Sequence, residues 1–122
     1  LRDVDQMNIK EIGEELRKVS RECKDLKINK KEFFGGSMTI SSLGGIGGTF
    51  FTPIINPPEV AILGVGRSYD KLVKTKGQLV NRKILPISLS YDHRIIDGAE
   101  GARFCVHLNK SLGKDFAFKL AV

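Results

Sequence analysis

The 122 residues contain no tryptophan, only two cysteines and only two histidines. Cys23 and Cys105 are too few for a disulfide framework, and each falls on the apolar stripe of a predicted helix, where a reduced cysteine acts as a small hydrophobe. His93 and His107 stand well apart, so with two lone cysteines they make no ligand set for a metal ion. No apolar run approaches the roughly 20 residues that cross a bilayer, and no secretory signal opens the chain. The first residue is Leu1 rather than Met, so the missing signal carries little weight for a parent protein. These absences fit an intracellular protein with no metal and no membrane span.

The net charge is +6, and it is unevenly placed. Arg67, Lys71, Lys74, Lys76, Arg82 and Lys83 face Asp70 alone in one short stretch. Such a stretch can attract a phosphate-rich partner. It carries one aromatic, Tyr69, and no nucleic-acid fold signature, which favours a solvated hairpin and no nucleic acid.

The apolar pattern predicts the elements. Leu1 to Gln6 reads as an entry strand or loop. Asn8 offers an N-cap with Glu11 three residues on, and Ile9, Ile12, Leu16, Val19 and Cys23 follow as one face of an amphipathic helix. Asn29 and Glu32 repeat the capping pattern for a short helical turn. Met38 and Ile40 then alternate with Thr39 and Ser41, the period of a strand. Val60 to Val65 is a short buried strand, Gly77 marks a turn, and Ile84 to Ser90 is a further strand with Ile87 and Leu89 facing away from Ser88 and Ser90. Asp97 caps a last helix with Glu100 completing a capping box, and Ala102, Cys105, Val106, Asn109 and Leu112 form its inner face. Two helices and about four strands imply α/β layers around a thin core. Phe and Ile in the loops imply burial against another chain or a further segment.

Chemistry concentrates at Tyr91-Asp92-His93-Arg94-Ile95-Ile96-Asp97-Gly98, on a strand-to-helix loop where a rigid scaffold presents side chains to a ligand. An imidazole has a reference pKa of about 6.5 and can take and return a proton near neutrality. Asp97, four residues on, is placed to steady the histidine loop as well as to cap the helix. Arg94 and Asp92 read as a loop-holding ion pair, and His107 sits mid-helix with no partner motif. Gly45-Ile46-Gly47-Gly48 superficially resembles a phosphate loop, but no Lys-Ser/Thr pair follows and a Phe-Phe and Pro loop comes next. Close packing or a ligand channel beside Ser41 accounts better for those glycines.

The string DHRIIDG resembles the signature of the dihydrolipoyl acyltransferases of 2-oxoacid dehydrogenase complexes. The wider His-x-x-x-Asp-Gly pattern is shared with chloramphenicol acetyltransferases and peptide-synthetase condensation domains, but those carry His where this chain has Asp92. Two longer blocks, GGSMTISSLGGIGGTFFTPIINPPEVAILGVGR and ILPISLSYDHRIIDGAEGARF, are similar to the same family in order and spacing. The likeness runs from Leu1 to about Leu112.

That resemblance implies an α/β two-layer sandwich like chloramphenicol acetyltransferase, a mixed sheet with helices packed on one side. It implies that residues 1–122 are the C-terminal part of a catalytic domain, with the N-terminal part, lipoyl and subunit-binding domains absent. It implies acyl transfer between dihydrolipoamide and coenzyme A, both substrates, with the lipoyl group carried on a domain outside this chain. His93 would be the general base, Ser41 the oxyanion donor and Asp97 an orienting residue; a positioned base is worth roughly 10²–10⁴-fold and one oxyanion donor roughly 10²–10³-fold. The Ile-Ser-Ser-Leu-Gly and Asn-Pro-Pro-Glu-Val stretches look most like pyruvate-type, acetyl-transferring members. The alternatives are a succinyl- or branched-chain-specific member, or a catalytically inert scaffold fragment. The family forms homotrimers that build cubic or icosahedral cores, with active sites between subunits, and works with decarboxylase and dihydrolipoyl dehydrogenase components. Bacterial cytoplasm is favoured over a mitochondrial matrix.

Overall fold

A computed structural model describes residues 1–113 and 116 of the chain. The chain divides into two units, Leu1–Gly36 with Leu112–Val122, and Ser37–Ser111.

The first unit is built on α1, Ile9–Lys24. The capping box expected from Asn8 and Glu11 is present in both directions. Asn8 Oδ1 accepts from Glu11 N at 3.0 Å, and Glu11 Oε2 accepts from Asn8 N at 2.7 Å, so two otherwise orphaned donors are satisfied. Arg21 and Lys24 in the last turn sit where the helix dipole favours cations. Ile12, Val19 and Cys23 are half-buried on the predicted face, whereas Ile9 and Leu16 are exposed. Of the strand or loop expected at the entry, no strand forms, and the segment holds a 3-10 turn, Val4–Gln6. Asn29 caps a second 3-10 turn, Lys30–Phe33, by accepting from Lys31 N at 3.0 Å. Glu32 does not close a capping box there, because its carboxylate turns to the Arg2 guanidinium at 3.3 Å.

The second unit holds a mixed three-stranded sheet and a separate hairpin. β1 (Thr39–Ser42) runs parallel to β2 (Ala61–Val65), and β2 pairs antiparallel with β5 (Ile87–Tyr91). The expected buried strand is the central one, and its Ile62 and Leu63 are the buried hydrophobic core of the described residues. β3 (Tyr69–Thr75) and β4 (Gln78–Ile84) form the basic hairpin. Lys76 and Gly77 both take positive φ, 50° and 83°, which makes a two-residue connection whose twist suits paired antiparallel strands.

Two expectations need correcting. Ile84 to Ser90 is not one strand: Ile84 ends the hairpin and β5 starts at Ile87. Pro86 has no N–H to continue a ladder, and its carbonyl instead accepts from Gly66 N at 3.0 Å. The inner face of α2 (Gly98–Ser111) is also displaced. Gly101 is buried and Cys105, Leu108 and Ser111 are half-buried, while Ala102, Val106, Asn109 and Leu112 are exposed. A Cβ at Gly101 would stand 2.8 Å from Tyr91 Cε1, so the helix backbone rests directly on that ring. The close approach at a glycine, invisible to a count of apolar side chains, sets the rotation of α2.

The glycine-rich segment after β1 is pinned to the end of β2. Leu43 N donates to Val65 O at 3.0 Å and Arg67 N to Gly48 O at 2.9 Å. A Cβ at Gly66 would lie 2.1 Å from Thr49 O, so only glycine admits this approach. Within the glycine-rich segment itself a Cβ at Gly45, Gly47 or Gly48 would meet nothing within 4 Å, and Gly47 and Gly48 take positive φ, so backbone freedom rather than close packing accounts for those two.

Candidate active site

The loop that carries His93 is organised around Asp92. Asp92 N donates to Val60 O at 2.8 Å, which anchors the end of β5 to the chain entering β2. Its carbonyl accepts from Ile95 N at 3.0 Å and Ile96 N at 2.9 Å, folding the next residues into a turn. Its carboxylate accepts from Arg94 N at 3.0 Å and from the guanidinium at 2.6–3.1 Å. The Arg94 side chain, with its backbone N–H, holds the Asp92 carboxyl down at about 2, against desolvation that pushes the other way. Arg94 is raised in turn by the carboxylate. The ion pair expected here is thus present and closes over a single residue, His93, at the corner of the turn.

His93 is exposed, and its ring lies beside Tyr91 with centroids 5.7 Å apart and planes tilted by 37°. Separations of about 4.5–7 Å in tilted geometry are favourable for aromatic pairs. Asp97 Oδ1 accepts from Glu100 N at 2.7 Å, so the predicted helix cap is formed. The reciprocal half of the expected box is replaced, because the Glu100 carboxylate pairs with Arg103. His107 is exposed on α2, and among the described residues no group of His, Cys, Asp and Glu could hold a metal ion.

Ser41 lies elsewhere. It pairs with Gly64, and Gly64 with Ser88, so these three share one face of the sheet together with Thr39, Ile62 and Ser90. Phe51 covers that face at Gly64, where a Cβ would meet the ring at 3.0 Å. Tyr91 and the α2 contact belong to the opposite face, since Tyr91 pairs with Ala61. Crossing from β1 to β5 spans about 10 Å at the usual strand spacing, and Ser88 to Tyr91 spans a further ~10 Å along the strand before the His93 turn. One chain therefore does not bring Ser41 and His93 within hydrogen-bonding reach. Tyr91, which the sequence does not single out, lies beside the His93 ring; its place two residues before His93 at the end of a strand is the available signal.

Solved structures share this fold. A structure of Azotobacter vinelandii dihydrolipoamide acetyltransferase, in which the roles of a serine, a histidine and an asparagine in the catalytic mechanism were investigated, matches with a TM-score of 0.91 and 42% identity. The cubic core of the pyruvate dehydrogenase multienzyme complex matches with a TM-score of 0.91 and 41% identity. Both cover 100% of this chain and 49% of the solved chain. The dihydrolipoyllysine-residue acetyltransferase component of pyruvate dehydrogenase complex from Cupriavidus necator is 48% identical over 112 residues, 92% of this chain and 20% of that protein. Its Haemophilus influenzae counterpart is 49% identical over 111 residues, 91% of this chain and 20% of that protein. The chain thus spans about half the length of the solved chains and a fifth of these relatives. The α/β mixed sheet, the His93 turn between β5 and α2, and a match of residues 1–117 to the model of that family agree in one respect: the chain belongs to the 2-oxoacid dehydrogenase acyltransferases, catalytic domain.

Proposed function

We propose that this chain is the C-terminal part of the catalytic domain of a dihydrolipoyllysine-residue acetyltransferase, moving an acetyl group between dihydrolipoamide and coenzyme A. The observation that carries the reading is one of spacing. Ser41, His93 and Asp97 stand at the same separations along this chain as the serine, histidine and asparagine studied in the A. vinelandii enzyme. The acetyltransferase names of the relatives support acetyl over succinyl or branched-chain acyl groups.

The chemistry follows from the residue types. The His93 imidazole takes the proton of the incoming thiol, and the thiolate attacks the thioester carbonyl carbon. The carbonyl π electrons move to oxygen, and the Ser41 hydroxyl donates a hydrogen bond to that oxyanion. Collapse re-forms the carbonyl and expels the second sulfur as a thiolate, which recovers the proton from the imidazolium. No acyl-enzyme is needed, because both substrates already carry sulfur. Asp97, fixed by its cap on Glu100 N, holds the far end of the histidine loop, a task that Asn performs equally well as an acceptor.

The separation of Ser41 and His93 within the sheet supports a site completed by a neighbouring subunit, with the serine from one chain and the histidine from the next. Ile46, Phe50 and Ile54, exposed around the loop after β1, supply apolar surface for assembly into trimers and a cubic or icosahedral core. The decarboxylase and dihydrolipoyl dehydrogenase components are the partners of that assembly. Bacterial relatives and the lack of any helix long and apolar enough to cross a membrane among the described residues fit a cytoplasmic enzyme.

The test is acetyl transfer from acetyl-CoA to dihydrolipoamide by the full-length enzyme. His93→Ala should reduce kcat by about 10²-fold or more while leaving the fold intact. Turnover within a few-fold of wild type would rule out His93 as the base. Faster transfer from succinyl-CoA than from acetyl-CoA would overturn the acyl assignment.

A further inference from the structure

The hydrogen bonds of the His93 turn fix its backbone. Asp92 is held by Val60, Ile95, Ile96 and Arg94, yet none of those bonds reaches the imidazole. An exposed side chain on a fixed Cα still has its staggered rotamers to choose from. A base must hold one nitrogen within about 3 Å of the thiol it deprotonates. Something has to select the orientation of the ring.

We propose that Tyr91 is a positioning residue for His93, its ring held against the glycine face of α2 and beside the imidazole. This rests on the reading of His93 as the base. Tyr91 is the last residue of β5 and lies on the sheet face that meets α2. Its ring is backed by Gly101, where an added Cβ would stand 2.8 Å from Cε1, 3.0 Å from Cζ and 3.2 Å from Oη. One turn earlier, a Cβ at Gly98 would stand 3.9 Å from His93 Nε2 and 3.9 Å from Tyr91 Oη. Gly98 and Gly101 are three apart and share a helix face. The tyrosine is therefore held against the helix backbone at Gly101, and its ring lies beside the imidazole, 5.7 Å between centroids, with both rings reaching Gly98. A rigid ring against a helix transmits position; a flexible aliphatic side chain would not. Misplacement of a reacting group by about 1 Å costs on the order of 10²-fold in rate.

The experiment measures kcat, KM and assembly of full-length variants in the acetyl-transfer assay. Tyr91→Val should lower kcat by about 10- to 100-fold with KM within about three-fold, and Tyr91→Phe, which keeps the ring, should recover most of that loss. Gly101→Ala should lower kcat by about ten-fold, because its methyl group must push the tyrosine ring aside. In the Tyr91→Val/Gly101→Ala double variant the glycine substitution should cost nothing more, since the ring it acts through is gone. A purely structural role predicts instead that the two losses multiply, with KM and melting temperature moving together. Should Tyr91→Val fail to assemble, Tyr91→Leu fills more of that space without a ring and carries the same expectation. Ring-less variants within about two-fold of wild-type kcat, alongside an inactive His93→Ala enzyme, would overturn the role of Tyr91 and leave the base standing. An active His93→Ala enzyme would overturn both.

Discussion

The register of the three-stranded sheet makes a quantitative demand on any oligomer of this protein. Ser41 lies on the sheet face opposite Tyr91 and toward the end of the sheet opposite the His93 turn, far beyond the ~3 Å of a shared oxyanion and thiol site. If both residues serve one reaction, each site takes its serine and its histidine from different chains. In a closed cyclic assembly every head-to-tail interface is equivalent. Ser41→Ala and His93→Ala proteins, each nearly inactive, should then complement one another. When they are unfolded together in equal amounts and reassembled at random, about one interface in four receives its serine from the histidine mutant and its histidine from the serine mutant, so about 25% of wild-type activity should return. The controls are each mutant refolded alone and the two mixed without unfolding, with assembly checked by light scattering. Full assembly of mixed oligomers with activity no higher than the controls would refute the shared site and confine catalysis to one chain, against the distances set by the strands.

Two further outcomes follow from the His93 loop. Asp97→Asn should keep most activity and the helix cap, whereas Asp97→Ala, which loses the 2.7 Å bond from Glu100 N, should lose activity and about 1 kcal/mol of stability; equal kinetic damage by both would assign a role to the carboxylate charge, measured as kcat beside thermal denaturation. Asp92 is depressed from 3.8 to about 2 in the folded chain, so its stabilising contribution is present above the unfolded value and is lost as pH falls from about 3.8 towards 2. The melting-temperature gap between wild type and Asp92→Asn should therefore be constant near neutrality and close over that acid window; a gap unchanged at pH 2 would refute the assignment.

Local signals were legible where local chemistry decides the structure. Asn8 with Glu11 specified the start of α1 in both hydrogen bonds, because a capping box is closed within four residues. Gly77 specified a turn that needs positive φ, and the apolar run of β2 specified the centre of the sheet. What failed depended on contacts between distant residues. Glu32 looked like half of a capping box but is taken by Arg2, thirty positions away. The apolar side chains of α2 point to the wrong face, because the contact that orients the helix is Gly101 on Tyr91, made by the absence of a side chain.

The same distinction runs through the site. His93 and Asp97 share one turn, so their spacing alone places them together at the start of α2, and the resemblance supplied the chemistry. The same resemblance points to Ser41, yet nothing in its sequence neighbourhood says on which face of the sheet it stands, which follows only from pairing. A strand alternates faces with period two, so Ser41 joins Gly64 and Ser88 on one side while Tyr91, three residues beyond Ser88, turns to the other. A single-residue slip of β1 against β2 would move Ser41 to the helix face. The Leu43 N to Val65 O bond and the Gly66–Thr49 contact, which no side chain could enter, fix that register at the end of the pair. These contacts hold β1 in the one alignment that turns Ser41 away from the sheet face of Tyr91 and α2.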